Sequence, residues 1–305
     1  GDFFAAYSFG DRTRSFLKVQ DGCDYGCAYC TIPMARGQSR NLPMAEIIRE
    51  ANEIAQKGVK EIILTGVNVG DFGKSTDESF PELIRALEDV PGIERYRISS
   101  IEPNLLSRPI IDHVASSKKF LPHFHIPLQS GCNEILKRMG RRYRREIFRE
   151  KIETIRQVIP AAFIGVDLIV GFPGEDEEKF NHTFAFLREM DVSYYHAFSF
   201  SRRPGTKAYA MDQLVPGNVI RERSLQVQQL AEEKKKSFYA KHTGQIRPVL
   251  FESPGNQDNL FGFTDNYIRV EIPKSPEGLK GQIRKVELMA INEQGNMTGR
   301  IKDHH

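Results

Sequence analysis

The stretch Ser15-Phe16-Leu17-Lys18-Val19-Gln20-Asp21-Gly22-Cys23-Asp24-Tyr25-Gly26-Cys27-Ala28-Tyr29-Cys30 decides how the rest of this chain is read. Its first five residues are a strand-like run, and its last eight hold three of the four cysteines in C-x3-C-x2-C spacing. Thiolates are the ligands of zinc and of iron–sulfur clusters, and both need several of them converging on one point. A structural zinc site closes with four protein ligands; no fourth Cys or His stands nearby in sequence, although Cys132 or a distant histidine could complete one. Three thiolates suit a [4Fe-4S] cube differently, because the fourth iron stays open to an external ligand. Clustered thiols of this kind point to a metal site in a reducing compartment, hence the cytoplasm.

Outward from that loop, strand-like runs at 15–19, 61–65, 96–99, 123–128, 163–170 and 194–200 alternate with helical stretches. Ile47, Ile48, Ala51, Ile54 and Ala55 repeat at helical spacing, as do Phe180, Phe184 and Leu187. Strands alternating with helices imply parallel β/α units, since parallel neighbours need a crossover. An open or partial barrel and a doubly wound sheet both satisfy the pattern. In either, the loop leaving strand one lies at the strands' carboxyl ends, where such folds place ligands. After Pro216 the character changes. A polar helix is expected over 219–241, with Leu225, Val227 and Leu230 as its apolar stripe. Short strands follow at 247–251, 267–272, 281–289 and 297–301, punctuated by Pro254-Gly255, Asn256, Ser275-Pro276 and Glu293-Gln294-Gly295. These describe a small all-β module. The expected division is 1–235 and 236–305.

Two domains are the expectation for 305 residues. A composition 40% hydrophobic and 27% charged excludes disordered, collagenous and coiled-coil classes. With 43 basic and 40 acidic residues, any charge-driven partner must be met locally. No apolar run approaches the roughly 18 residues that span a bilayer, so no membrane is expected. Residues 137–151 carry eight basic side chains against Glu146 and Glu150. Arginine and lysine supply most non-specific affinity for phosphate backbones, so Arg138, Arg141, Arg142, Arg144 and Arg145 are expected to contact RNA. The β module is balanced, with eight basic and eight acidic residues over 242–303. Its Phe261, Phe263 and Tyr267 either stack bases or fill a small core. Asp167 interrupts an apolar strand, and a carboxylate there needs a partner or a function: substrate contact or a structural hydrogen bond.

The run Cys23, Cys27, Tyr29, Cys30 resembles the signature of radical S-adenosylmethionine (SAM) enzymes. Thr65-Gly66-Val67-Asn68-Val69-Gly70-Asp71-Phe72-Gly73, His125-Ile126-Pro127-Leu128-Gln129-Ser130-Gly131, Val170-Gly171-Phe172-Pro173-Gly174-Glu175 and Arg203-Pro204-Gly205-Thr206 are similar to the methylthiotransferases among them. The resemblance implies a partial (β/α)6 barrel followed by a small β-barrel of TRAM type, associated in the family with RNA. It implies a [4Fe-4S] cluster on Cys23, Cys27 and Cys30, with SAM on the open iron and beside Tyr29. Gly66 and Asn68 would receive SAM's methionine moiety and Gly171 its adenine. Glu102 and Gln129 could hydrogen-bond SAM or cap a helix; Phe198 is adenine platform or core. Reductive cleavage of SAM would yield a radical that removes hydrogen from an inert carbon, followed by sulfur insertion and methylation from a second SAM.

Two departures stand out. Family members carry a further N-terminal domain whose three cysteines hold a second [4Fe-4S] cluster. It is absent ahead of Gly1, so this chain reads as a fragment expected to cleave SAM without completing methylthiolation. Cys132 stands where relatives have Ser and is expected to be an inert buried thiol. Gly66-Val67-Asn68-Val69-Gly70-Asp71, Met139-Gly140-Arg141-Arg142-Tyr143 and His196-Ala197-Phe198 look closest to the branch acting on N6-threonylcarbamoyladenosine at tRNA position 37. Sister branches act on N6-isopentenyladenosine or on a ribosomal-protein aspartate. The partners implied are the tRNA anticodon loop and a reducing electron donor, and a monomer is expected. A zinc-stapled RNA-binding protein without catalysis is the alternative of a different class.

Overall fold

The computed structural model describes residues 13–252, 259–273 and 278–302. The turns expected at Pro254-Gly255, Asn256 and Ser275-Pro276 lie outside them. Six parallel strands come first: β1 Arg14–Lys18, β2 Glu61–Thr65, β3 Arg95–Ile98, β4 His123–His125, β5 Phe163–Val170 and β6 Tyr194–Ser199. They pair as β1-β2-β3 and β4-β5-β6. Parallel bridges Tyr96↔Phe120 and Ser100↔His125 join the two sets between β3 and β4. Every strand therefore lies beside its sequence neighbour, without the reversal of order that marks a doubly wound sheet. The sheet is an open partial barrel.

Helices α1 Ile32–Arg36, α2 Met44–Gln56, α3 Phe80–Glu88, α4 Arg108–Ser116, α5 Asn133–Arg138, α6 Arg145–Val158 and α7 Glu177–Glu189 occur between the strands. Their starts follow local chemistry: Ser79 Oγ accepts from the Glu82 N–H before α3, and Asp176 from the Lys179 N–H before α7. Ile47, Ala51 and Ile54 of α2 are fully buried, as is Leu187 of α7, against strand residues such as Ile62, Leu64, Ile164, Val166 and Leu168. Strand alternation then turns Asp167 and Ile169 to the opposite face, the barrel lumen.

Helix α8 runs Gly217–Ala240 without a break, so the 235/236 division falls inside it. Its buried stripe is Arg223, Val227, Leu230 and Ala231, not the expected Leu225, which is 59% exposed. Residue 225 lies two positions before Val227, about 200° round the helix and therefore on the far side. Strands β7 Ile246–Phe251, β8 Asn259–Thr264, β9 Arg269–Pro273, β10 Ile283–Ile291 and β11 Met297–Ile301 close a barrel in the order β10-β11-β9-β8-β7. Strand β8 was not expected, because polar ends and a central glycine hide it. Gly262 is there for space: a Cβ would stand 2.5 Å from the Leu250 carbonyl oxygen of β7.

The β-barrel docks on the strands' amino ends. Arg14 pairs with Glu252 at 2.6 Å, Arg95 donates to the Phe263 and Pro248 carbonyls, and Arg97 lies over the Tyr267 ring at 4.6 Å. Tyr267 also packs edge-on against His123 and Phe163, while Phe263 stacks on it, so both rings are engaged at this junction. Burial would raise the Glu61 carboxyl, but Arg97, Arg95 and Arg14 outweigh it and hold it below its usual range. No described helix is long and apolar enough to cross a membrane.

Candidate active site

The cysteine loop leaves the carboxyl end of β1 and is pinned at both sides. Asp21 exchanges backbone hydrogen bonds with Arg40 at 2.9 Å, and its carboxylate meets Lys18, Arg36 and Arg40 at 3.2–3.4 Å. Gly22, at φ 71°, sits so close to Gln38 that a Cβ would lie 2.0 Å from its carbonyl oxygen; only glycine fits there. Gln20 is buried and unites the loop with the turn after β2. Its Nε2 donates to the Asp21 and Gly22 carbonyls and to Ser39 Oγ, and its Oε1 accepts from the Asn68 N–H at 2.9 Å. Nothing in the sequence pattern singled Gln20 out.

Cys23, Cys27 and Cys30 are all free and half-buried. The Tyr25 N–H donates to Cys23 Sγ and the Ile32 N–H to Cys30 Sγ, each at 3.4 Å. Arg141 Nη1 donates to Cys27 Sγ at 3.1 Å and to Tyr29 Oη at 3.2 Å. The same guanidinium is ion-paired with Glu102 and bonds Tyr143 Oη, which donates to the Pro127 and Leu128 carbonyls at 2.9 Å. Burial pushes the Cys27 thiol up, with Arg141 opposing it, and burial likewise pushes up Cys23. Arg141 was expected on an RNA-facing surface, yet its side chain is 4% exposed and turned into the site.

Among the described residues, His125, Asp167 and His196 are the group whose ligand atoms all lie within 4.8 Å of one another.

The other expected residues lie at the same end of the barrel or on its wall. Gly66 packs against Gln20, where a Cβ would meet it at 3.0 Å. Asn68 is 3% exposed, and both its amide oxygen and nitrogen are buried without a partner. Gln129 adopts φ 68°, a left-handed backbone rare outside glycine, and bridges Leu168 of β5. Gly171 donates its N–H to Glu175, and a Cβ on it would strike Ile220 at 2.3 Å. Phe198 is 56% exposed on β6. His125 Nε2 stands 2.9 Å from Asp167 Oδ2, within ion-pair distance. Cys132 is buried in an apolar cluster with Ala28, Leu136 and Phe172. Of the remaining arginines, Arg142 lies over the Tyr25 ring at 4.0 Å and Arg144 is largely solvent-exposed. Arg138 bonds the Pro173 carbonyl and Asp212, and Arg145 the Gly131 carbonyl.

Residues 17–187 match the Radical SAM superfamily. Threonylcarbamoyladenosine tRNA methylthiotransferase MtaB of Bacillus subtilis (strain 168) is 38% identical over 288 residues, covering 92% of this chain and 64% of the relative. The protein of the same name from Chlamydia pneumoniae is 35% identical over 96% of this chain and 69% of its own length. The chain belongs to the radical SAM methylthiotransferase family. It spans about two thirds of the length of these curated relatives. The family's tRNA-2-methylthio-N(6)-dimethylallyladenosine synthase from Acinetobacter baumannii (strain AYE) is 34% identical over 83% of this chain and 54% of its own length. Among solved structures, coproporphyrinogen III oxidase (HemN) from Escherichia coli, a radical SAM enzyme, aligns at TM-score 0.52 and 13% identity, covering 89% of this chain and 66% of that one. That likeness concerns the fold.

Radical SAM proteins use a [4Fe-4S] cluster and SAM, and the donors present fit both. Three free thiols with N–H donors on their sulfurs match an open cluster site. The unpartnered Asn68 amide, with one donor and one acceptor end, matches a group that carries both an ammonium and a carboxylate.

Proposed function

We propose that this chain is the core of a tRNA methylthiotransferase that converts N6-threonylcarbamoyladenosine at position 37 to its 2-methylthio derivative. The observation that carries the reading is the convergence of three free thiols, the Arg141 guanidinium on Cys27 Sγ and the unpartnered Asn68 amide at one end of a partial barrel. Cys23, Cys27 and Cys30 would hold the cluster, which with SAM supplies one-electron cleavage and a radical able to take hydrogen from an unactivated carbon. Asn68 would satisfy its amide on SAM's methionine end, with Gly66 in the same turn packed on Gln20. Tyr29 and Glu102, both gripped by Arg141, line that place, and Gln129 and Gly171 shape the adjoining wall. Phe198 offers a face for adenine.

The chain's own part is to hold these groups rigid and to exclude water. A second cluster on a further N-terminal domain, an external electron donor, cytoplasmic location and a monomeric state complete the proposal, as does a division into a core over 1–235 and a TRAM-like module over 236–305. Arg142 and Arg144, with Arg138 and Arg145 behind them, would meet anticodon-loop phosphates; Arg141 supports the cluster instead. Action on a dimethylallyl substrate is the second reading, favoured by the Acinetobacter relative.

The test is anaerobic reconstitution with iron and sulfide, followed by reductive SAM cleavage beside Cys27→Ala. About four irons per chain and 5′-deoxyadenosine from the intact protein alone are expected. Tight zinc without cleavage would sink the reading. The full-length enzyme on tRNA then identifies the product.

A further inference from the structure

The lumen wall carries three polar side chains that the cysteine loop does not use. Asp167 of β5 stands directly across from His196 of β6, and His125 ends β4. The His125 and His196 rings lie 5.3 Å apart, and His125 Nε2 stands 2.9 Å from Asp167 Oδ2, within ion-pair distance. Gly165 sits where a Cβ would come within 3.2 Å of His125 Nδ1 and 3.8 Å of His196 Nε2, so a glycine keeps the space between the rings clear. All three polar residues remain partly accessible from the lumen. One step nearer the mouth the same strand faces carry Ile169 and Phe198, themselves paired.

We propose that His125, Asp167 and His196 bind the substituent on the target base and select a polar ureido group over a hydrocarbon one. This rests on the proposed function and names the element that reads the substrate. The His125 contact fixes the Asp167 carboxylate and leaves its second oxygen as an acceptor; His196 offers an imidazole N–H as a donor. A ureido group, N–H–C(=O)–N–H, presents the complementary set: N–H groups for the carboxylate and a carbonyl for the imidazole. A threonylcarbamoyl substituent contains this group, whereas a dimethylallyl substituent is hydrocarbon throughout. Seating hydrocarbon here would strip water from a carboxylate and an imidazole and return no hydrogen bond, the kind of mismatch by which sites discriminate most strongly. The two substrates named for the curated relatives differ at this group.

The experiment uses full-length enzyme and three synthetic anticodon stem-loops carrying threonylcarbamoyladenosine, dimethylallyladenosine or unmodified adenosine. Equilibrium binding is compared for wild type, His196→Leu and Asp167→Asn, with SAM affinity measured alongside. The expected result is a wild-type preference for the threonylcarbamoyl stem-loop that falls about tenfold or more in each variant, while affinity for unmodified stem-loop and for SAM holds. A wild-type preference that survives intact in both variants overturns the assignment of these residues and leaves the substrate reading standing. Absence of any preference in the wild type overturns the substrate reading itself, and this inference with it. Loss of affinity for all three stem-loops together in both variants marks a structural role and also overturns the inference.

Discussion

Replacing Arg141 with Met keeps much of the side chain's length and removes its charge. In the structure that guanidinium bonds Cys27 Sγ, Tyr29 Oη and Tyr143 Oη and pairs with Glu102, all within an enclosed space. Burial raises the Glu102 carboxyl, and Arg141 is the main group opposing that rise. Taking one partner from a buried ion pair costs about 3–5 kcal/mol, because the other charge is left uncompensated. At roughly 2 °C per kcal/mol for a chain of this size, the melting temperature should fall by about 6–10 °C. The informative comparison is the double variant with Glu102→Gln. If most of the loss is the stranded carboxylate, the double variant should recover about half of it. Differential scanning calorimetry of the four proteins before reconstitution gives the answer. A melting temperature for Arg141→Met within 1 °C of wild type, or strictly additive losses, would refute the argument that this arginine organises the site.

Other outcomes follow from single features. Burial alone would raise the Asp21 carboxyl, but the Gly22 N–H, Lys18 and Arg36 hold it below 3.8. A depressed carboxylate stabilises the fold above its unfolded pKa and loses that contribution as pH falls through the folded value. The gap in melting temperature between wild type and Asp21→Asn should therefore be widest near pH 7 and close below pH 3.8; a gap independent of pH would contradict the ion cage. Val227→Ala should destabilise by about 2 kcal/mol, and Leu225→Ala by less than about 0.5 kcal/mol, measured by urea titration; equal losses would mean that the helix faces are misassigned. Gly262→Ala should cost more than about 2 kcal/mol, since β8 would have to retreat from the Leu250 carbonyl. Circular dichroism melts would detect it, and an unchanged melt would refute the close approach.

The partial barrel was legible because each strand and helix writes its own period into the chain, and because three cysteines after β1 announce a ligand-binding end. Order decided between the two candidate sheets, and order is a long-range property. The position of Arg141 was hidden for a similar reason. Eight neighbouring basic residues make a local charge signal, but whether one of them turns inward depends on Tyr29 and Glu102 arriving from distant segments. Asp167 could be flagged as a carboxylate in an apolar strand. Its companions could not, since His125 and His196 meet it only through the register of three strands. Gln20 carried no signal, because one buried amide joining two loops leaves no period.

The docking of the β-barrel against the strands' amino ends makes the lumen a well with a floor, built from Tyr267, Phe163, His123 and Arg97. Traffic is then confined to the carboxyl-end mouth and the seam between β1 and β6, which do not pair. A large ligand seated across the mouth acts as a stopper for whatever small molecules lie beneath it. Spent fragments in the well would then leave through the narrow seam or wait until that ligand lifts or shifts, so departure of the large ligand and renewal of the small ones become linked to the extent that the seam is closed.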